Sequence, residues 1–243
     1  ETLEIPNYSA LAAQNQGALR FNTENTAHYI TDYQGVLLEQ ILETITDLDS
    51  TSKLQVVQER RLLAEAGSIS FADLVPVIEK LTEETSYLVV SGVKAVLNGL
   101  KLFVDEGSEC EKAYHELVVK LSKFNFDRLG FEAKEGENDE DELVRQIVVG
   151  SLIAADDQVA SQEASRIFAA HQEDLEKLPA AIRLHILINQ IKHDESKELA
   201  DQYLNDYVST VDGSFKHQLA SALAYTKDAE TLARILESLK NKD

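Results

Sequence analysis

Hydrophobic residues recur at helical spacing along most of the chain. The first such stripe follows Gly35 and comprises Leu37, Leu38, Ile41, Leu42 and Ile45. Comparable stripes, each ended by a short polar segment, occupy residues 88–100, 114–121, 143–152, 199–207 and 232–239. Residues spaced in this way share one face of an α-helix, and the periodicity predicts about eleven helices. The chain beyond residue 34 is therefore predicted to be all-α.

The segment before Gly35 follows a different pattern. Apolar side chains alternate with polar ones on both sides of a polar turn at residues 23–25. The alternating positions are Leu19, Phe21, Ala27, Tyr29 and Tyr33. A period of two around a turn is typical of paired strands, so we expect a β-hairpin over residues 18–33.

Several residues mark predicted helix starts. Ser108 followed by Glu111 has the spacing of a capping box, in which each side chain bonds an amide proton near the helix start. Asp194 and Ser214 can each accept amide protons from the turn that follows.

Two further residues mark helix boundaries. Gly67 is expected to end a helix, since glycine readily adopts the left-handed conformation of a C-terminal cap. Pro179 suits the first turn of a helix over residues 179–192, where its missing amide proton would be unpaired anyway.

Many helices of medium length joined by short polar connections favour antiparallel neighbours. A succession of such pairs predicts an α-solenoid of the HEAT or armadillo type, with the hairpin as a short N-terminal remnant. The stripes fit a compact helical bundle as well, and no regular sequence repeat separates the two architectures.

Composition excludes several partners. The chain has 243 residues, 44% of them hydrophobic, and a formal net charge of −20. This charge repels phosphate backbones and anionic lipid surfaces, so neither nucleic acid nor a membrane is expected as a partner. No apolar run reaches the roughly 18 residues of a membrane span, and the N-terminus has no signal-peptide pattern. Cys110 is the one cysteine, which precludes an internal disulfide and fits a reducing cytoplasm.

Two charged features have a simple structural interpretation. Residues 132–142 contain seven carboxylates and one lysine, and we read them as a solvated loop whose last residues begin a helix, in preference to a metal-binding loop. Arginines border apolar stripes at Arg61, Arg145 and Arg183. We expect them to form ion pairs between helices rather than to grip a bound carboxylate.

The chain lacks a recognisable catalytic constellation. His115 and Glu116 begin the His-Glu-x-x-His motif of zinc hydrolases, but residue 119 is Val, and one imidazole cannot hold a catalytic zinc. His185 and His193 are about two helical turns apart, too far to share a metal without another element. No glycine-rich phosphate loop or G-x-S-x-G turn is present. We therefore assign no catalytic, cofactor-binding or metal-binding residue.

The order of several local motifs resembles the C-terminal helical region of the M1 family of zinc aminopeptidases, the aminopeptidase N group. The resemblance covers nearly the whole chain. Its motifs are HYITDY at 28–33, LLAEAGSIS at 62–70, ETSY at 84–87, RLGF at 128–131, LVR at 143–145, LPAAIR at 178–183, YVSTVD at 207–212 and LASALAYTKD at 219–228.

This resemblance implies that the chain is a piece of a larger hydrolase, a cytoplasmic metallopeptidase that removes N-terminal amino acids from peptides. Residues 1–34 would end a β-sandwich domain or form a linker, and residues 35–243 would be the C-terminal helical domain, truncated at its C-terminus. The family's zinc and substrate-amine motifs are absent here, so zinc would belong to the parent enzyme, and this fragment should hold no cofactor and be inactive. Its partners would be the upstream catalytic domain of the same polypeptide and peptide substrates.

In that family the helical domain closes and shapes the substrate chamber. An acidic chamber wall would attract cationic peptides, or the charge could serve solubility alone; the sequence favours neither. The alternative, from a different functional class, is a free-standing helical-repeat scaffold that binds a protein segment in its groove.

Overall fold

A computed structural model describes residues 4, 6–15, 19–23, 25–194 and 197–238. The α-helices within these residues are α1 (Tyr8–Asn15), α2 (Gly35–Thr44), α3 (Ser50–Glu65), α4 (Val75–Ile78), α5 (Tyr87–Lys101), α6 (Glu109–Leu129), α7 (Asp139–Ala154), α8 (Gln158–Ala170), α9 (Arg183–His193), α10 (Glu198–Ser209), α11 (Gly213–Leu223) and α12 (Ala229–Ser238). Short 3-10 helices cover Ile45–Asp47, Phe71–Leu74, Glu79–Leu81 and Leu175–Lys177. The all-α prediction is confirmed, and among the described residues eleven α-helices begin at or after Gly35. No helix in these ranges combines the length and apolar character needed to cross a membrane.

The chain divides into two compact units, residues 1–121 and 122–243. In the first unit, α3 packs against α5. A Cβ atom added to Gly92 of α5 would lie 2.8 Å from Leu54 Cδ1 of α3, so the absence of a side chain allows close approach of the two helices. Val57 and Val96 are buried in this unit.

In the second unit, α9 packs against both α8 and α11, and α10 packs against α11. Ile186 and Leu187 of α9 are fully buried. The hydroxyl of Tyr203, on α10, is also buried and donates a hydrogen bond of 3.1 Å to the carbonyl oxygen of Leu187. Burial raises the pKa of Tyr203 above its ordinary value, so the phenol remains neutral and able to donate.

The apolar stripes locate most of the core but not all of it. Ile41, Val93 and Val148 are buried as predicted. Five other stripe positions are instead exposed, namely Leu88, Leu143, Tyr207, Leu232 and Leu236. Periodicity identifies the helix face but not how far its edges are covered, because coverage depends on the packing of neighbouring helices.

The predicted hairpin is not present in the described part of residues 18–33. Residues 19–23 and 25–34 contain no strand. The Asn22 side chain instead accepts a hydrogen bond from the amide of Ala27 at 2.9 Å and donates one to its carbonyl oxygen at 2.8 Å. These bonds occupy backbone groups that a strand ladder would need, so the segment forms a turn. The solenoid stays a prediction.

The predicted helix end at Gly67 is confirmed. This residue has a φ of +73° and follows the last turn of α3. Its amide donates to the carbonyl of Ala64 and that of Ser68 donates to Leu63. The two bonds satisfy carbonyls that the helix end leaves unpaired, in the pattern of a Schellman motif.

The predicted capping box at the start of α6 is present in modified form. The hydroxyl of Ser108 accepts the amide of Glu111 at 3.1 Å, as expected. The carboxylate of Glu111 reaches back to the amide of Gly107, at 2.7 Å, one residue before the expected partner.

The other predicted helix starts are displaced. Asp212, not Ser214, caps α11, because its carboxylate accepts the amides of Ser214 and Phe215. Asp194 follows the end of α9, and residues 195–196 of the turn after it lie outside the described residues, so this prediction stays open; the residue before α10 is Lys197, whose side chain does not cap the helix. Pro179 begins a turn closed by the amide of Ile182, and α9 starts only at Arg183.

Candidate functional site

The histidines considered as metal ligands lie apart in the structure. His115 is half-buried on α6, where its ring centroid is 6.0 Å from that of Tyr114. His185 packs against Gly150 of α7, and His193, two turns along α9, lies near Asp156. Within the described ranges no three His, Cys, Asp or Glu residues are arranged to hold a metal ion. These residues therefore do not fit a catalytic zinc.

The arginines that border apolar stripes have structural roles. Arg61 pairs with Glu65 one turn along the same helix, so this ion pair does not join two helices as expected. Arg145 is buried on α7 and pairs with Glu137, in the loop that precedes α7. Both pairs differ from the predicted arrangement because the nearest carboxylate is local in sequence.

Arg183 joins α9 to α11 and to the segment before it. Its guanidinium donates to the carbonyl oxygens of Glu176, at 2.6 Å, and Leu178, at 3.3 Å. The guanidinium carbon lies 5.1 Å from the ring centroid of Phe215, within the range of a cation–π interaction. The Asp212 carboxylate is 4.0 Å from the Arg183 guanidinium, so the predicted ion pair between helices is present but long.

The acidic segment ends as a helix start, as predicted. Asn138 caps α7, and the first turn contains Asp139, Glu140, Asp141 and Glu142. Asp141 is buried beside Arg128, whose guanidinium lies 2.5 Å from its carboxylate. Burial alone would raise the pKa of Asp141, but hydrogen bonds from Arg128 and from the Asn138 amide, together with nearby guanidinium charge, lower it below its ordinary value.

An open apolar groove of about 710 Å³ lies in the first unit. It is formed by the 3-10 helix at Phe71–Leu74, the end of α5 and the first half of α6. Its apolar lining includes Phe71, Val75, Leu100, Phe103, Tyr114 and Leu117. An ion pair between Glu79 and Lys120, 2.7 Å apart, borders the groove. A cleft of this size and lining can accept bulky apolar side chains.

A second, polar cleft of about 540 Å³ lies in the second unit, along α8 and α9. It is lined by Asp156, Gln158, Ser161, Gln162, Ser165, Asn189 and His193. The carboxylate of Asp156 is 2.5 Å from Lys192 Nζ and 3.4 Å from His193 Nε2. Uncharged amide and hydroxyl groups predominate in this lining, which suits hydrogen bonding to a peptide backbone.

A third feature is a polar face on α5. Five side chains at a spacing of four, three, four and three residues form it: Tyr87, Ser91, Lys94, Asn98 and Lys101. Lys94 is half-buried, and among the described residues no carboxylate pairs with it or with Lys101. Burial and the charge of Lys101 both lower the pKa of Lys94.

Sequence reasoning missed all three surfaces. The heptad spacing of the polar face is readable in the sequence, but the lack of acidic partners among the described residues depends on the tertiary structure. The groove and the cleft are each lined by residues from segments that are distant in the sequence, so no local pattern indicates them.

An all-helical domain with open clefts and no metal-ligand set among its described residues is the class that the fold defines. A family model described as the ERAP1-like C-terminal domain matches residues 19–243. The chain therefore belongs to the family of ERAP1-like C-terminal domains.

Several proteins similar to this chain are aminopeptidases. Aminopeptidase N of Lactococcus lactis subsp. lactis is 51% identical over 244 residues, which cover 100% of this chain and 29% of that protein. Aminopeptidase N of Lactobacillus helveticus is 35% identical, over 99% of this chain and 29% of its own length. A puromycin-sensitive aminopeptidase of Caenorhabditis elegans is 23% identical over 90% of this chain. The predicted resemblance to M1 aminopeptidases is confirmed, and the chain spans 29% of the length of its bacterial relatives.

Proposed function

We propose that this chain is the non-catalytic C-terminal domain of a zinc-dependent aminopeptidase that removes N-terminal amino acids from peptides. The observation that carries the proposal is the 51% identity to an aminopeptidase N along the whole chain, combined with coverage of 29% of that relative. The relative is more than three times longer than this chain. We therefore expect this chain to be the corresponding domain of a similarly large enzyme.

Zinc chemistry belongs to the parent enzyme in this proposal. Among the described residues, His115 has no second imidazole one turn away, and His193 faces Asp156. The contribution of this chain is its surface, which closes and shapes the chamber that receives the substrate. The apolar groove and the polar cleft give this surface two chemically different places for a peptide to lie against.

The proposed substrates are peptides, and the proposed location is the cytoplasm. The upstream catalytic domain of the same polypeptide is the proposed permanent partner. The net charge of −20 supports peptide cations, not nucleic acid or anionic lipid, as ligands of the surface. A single unpaired cysteine, Cys110, is exposed and compatible with a reducing compartment.

Two measurements test the proposal. The gene upstream of Glu1 should encode His-Glu-x-x-His in the same reading frame, and the whole enzyme should bind stoichiometric zinc and hydrolyse peptides. Residues 1–243 alone should do neither. A start codon directly before Glu1 without such a motif, or zinc-dependent turnover by the chain alone, would overturn the assignment.

The role in the chamber needs a separate test. The whole enzyme should be compared with a form that lacks residues 35–243, on a single-residue chromogenic substrate and on peptides of about ten residues. We expect the ratio of the two kcat/KM values to change, since an open chamber no longer selects substrates by size. An unchanged ratio in a folded, zinc-loaded truncated enzyme contradicts the role in shaping the chamber.

A further inference from the structure

The polar face of α5 has an unusual electrostatic character for this protein. The chain carries 43 acidic residues against 23 basic ones, so most cations should find a carboxylate nearby. Many described lysines do, as Lys53 does with Glu84 and Lys192 with Asp156. Lys94 is partly withdrawn from water and is instead influenced by another cation, Lys101.

This arrangement is costly in the chain alone. Partial burial of an ammonium group without a paired anion is unfavourable, and a second ammonium two turns along the same face adds repulsion. Removal of the charge would relieve this cost. A lysine in such a position is stabilising only if a carboxylate from outside the described residues completes the pair.

The polar face is also open for such a contact. The opposite side of α5 carries Gly92, which approaches Leu54, and Gly99, whose added Cβ would lie 2.3 Å from the ring of Phe71. Those contacts attach α5 to the rest of its unit. Asn98 and Lys101 are exposed on the polar face, and Ser91 and Lys94 are half-buried there.

We propose that the polar face of α5 docks against a carboxylate-bearing surface of the parent enzyme outside residues 1–243, with Lys94 and Lys101 as its cationic contacts. The proposal rests on the proposed function, since it requires the larger enzyme. About seven tenths of a bacterial relative's length lies outside the region matched by this chain, which leaves ample surface for the partner. A permanent partner offsets the unfavourable free energy of the partly buried Lys94 ammonium at all times, whereas a substrate would offset it only during turnover.

Amine labelling provides the test. The whole enzyme and the isolated chain are acylated under identical conditions, and the labelling rate of each lysine is measured by mass spectrometry. We expect Lys94 to be labelled at least about tenfold more slowly in the whole enzyme, because a desolvated and paired ammonium is not available as a free amine. Lys80 and Lys227 are exposed and form no ion pair with the other described residues, so they serve as controls and should change much less. A zero-length carbodiimide cross-link should join Lys94 or Lys101 to an Asp or Glu outside the chain.

Other results would overturn the proposal. Equal labelling of Lys94 in the two forms means that nothing covers the face. Protection that appears only when a peptide with a free carboxyl terminus is added assigns the face to the substrate instead. Neither result depends on whether the enzyme has zinc-dependent activity, so failure of the proposed function is recognised separately from failure of this interface.

Substitution gives a second readout. Lys94→Met should lower the midpoint of thermal unfolding of the whole enzyme, and should leave that of the isolated chain unchanged or raise it. Lys94→Arg retains the charge and should behave as the wild type in both forms. A fall of the same size in both forms would show a structural role within the chain and contradict an interface.

Discussion

The imidazole of His185 lies directly against the backbone of Gly150. A Cβ atom built on Gly150 would be 2.4 Å from Cε1, 2.8 Å from Nε2 and 2.9 Å from Nδ1 of the ring. Gly150 is in α7 and His185 in α9, two helices that pack together in the second unit. Glycine therefore sets how closely the two helices approach, and His185 serves packing here.

This contact predicts that Gly150→Ala destabilises the chain. Alanine favours the helical state by about 1 kcal/mol, but overpacking costs about 1–3 kcal/mol, so we expect a net loss of up to about 2 kcal/mol. Urea unfolding monitored by circular dichroism measures the change. Gly213→Ala is the matched control, since nothing lies within 4 Å of its added Cβ atom.

A double substitution isolates the cause. His185→Ala removes the ring, and Gly150→Ala should then cost little in that background. If Gly150→Ala is equally destabilising with and without the ring, the contact with His185 is not responsible.

The start of α11 gives a second prediction, in which sequence and structure disagree. Asp212 accepts the amides of Ser214 at 2.8 Å and Phe215 at 3.3 Å, whereas the sequence pattern favoured Ser214 as the cap. Asp212→Ala should lower the free energy of unfolding by about 1 kcal/mol. Ser214→Ala should change it by less than about 0.5 kcal/mol, because Ser214 is exposed in the first turn. A larger effect at Ser214 would restore the sequence-based assignment.

These examples show where sequence reasoning succeeds. Periodicity identified the all-α class because burial of one helix face leaves a direct imprint on spacing, as at Val93 and Val148. Gly67 was identifiable because a left-handed residue after a helix favours glycine strongly.

Helix starts and surfaces were harder to predict. Several capping residues lie within two or three positions of each other, and tertiary packing selects among them, as it does between Asp212 and Ser214. The hairpin prediction was wrong in the described residues because Asn22 offers the backbone an alternative partner. In the part of the chain that the structure describes, the absence of a carboxylate beside Lys94 depends on residues distant in sequence, so no spacing rule could reveal it.

The buried ion pair of Arg145 and Glu137 supplies a third prediction. The side chain of Arg145 is 3% exposed and that of Glu137 is 15% exposed. Glu137→Gln should lower the free energy of unfolding by roughly 3 kcal/mol, since it leaves a buried guanidinium without its counter-charge. Unfolding in urea at pH 7 measures this loss.

An exposed pair is the control for that prediction. Arg166 and Glu163 lie one turn apart on α8 with side chains 63% and 37% exposed. Glu163→Gln should cost no more than about 0.5 kcal/mol, because water screens such pairs. Similar losses from the two substitutions would mean that burial does not determine the contribution of Arg145.

The pKa of Asp141 predicts a dependence of stability on pH. Its folded-state pKa is lowered relative to the ordinary value, so the folded state binds this proton more weakly than the unfolded state. The stabilisation is therefore complete above the ordinary carboxyl pKa and is lost as pH falls through the folded-state value. Between about pH 6 and pH 3, Asp141→Asn should show a shallower decline in the free energy of unfolding than the wild type.

The partner of Asp141 checks the cause. Arg128→Met removes the guanidinium whose hydrogen bond and charge lower this pKa. In this variant too, the free energy of unfolding should fall less steeply than in the wild type as the pH is lowered. If the free energy of unfolding of Asp141→Asn and of Arg128→Met falls with pH as steeply as that of the wild type, other carboxyl groups cause the acid sensitivity.

The last prediction concerns the net charge of −20 in the setting of the whole enzyme. If the acidic surface attracts cationic peptides, kcat/KM for substrates with N-terminal lysine should fall severalfold between about 20 mM and 500 mM salt, because the screening length shortens from about 20 Å to about 4 Å. Substrates with N-terminal alanine and no basic side chains serve as the comparison, since their single ammonium is attracted less. The ratio of the two kcat/KM values is the quantity to measure, because it cancels any general effect of salt on the enzyme. A ratio that stays constant over this range would leave solubility as the role of the charge. A falling ratio would mean that the acidic surface of this domain contributes to a preference of the proposed enzyme for basic peptides.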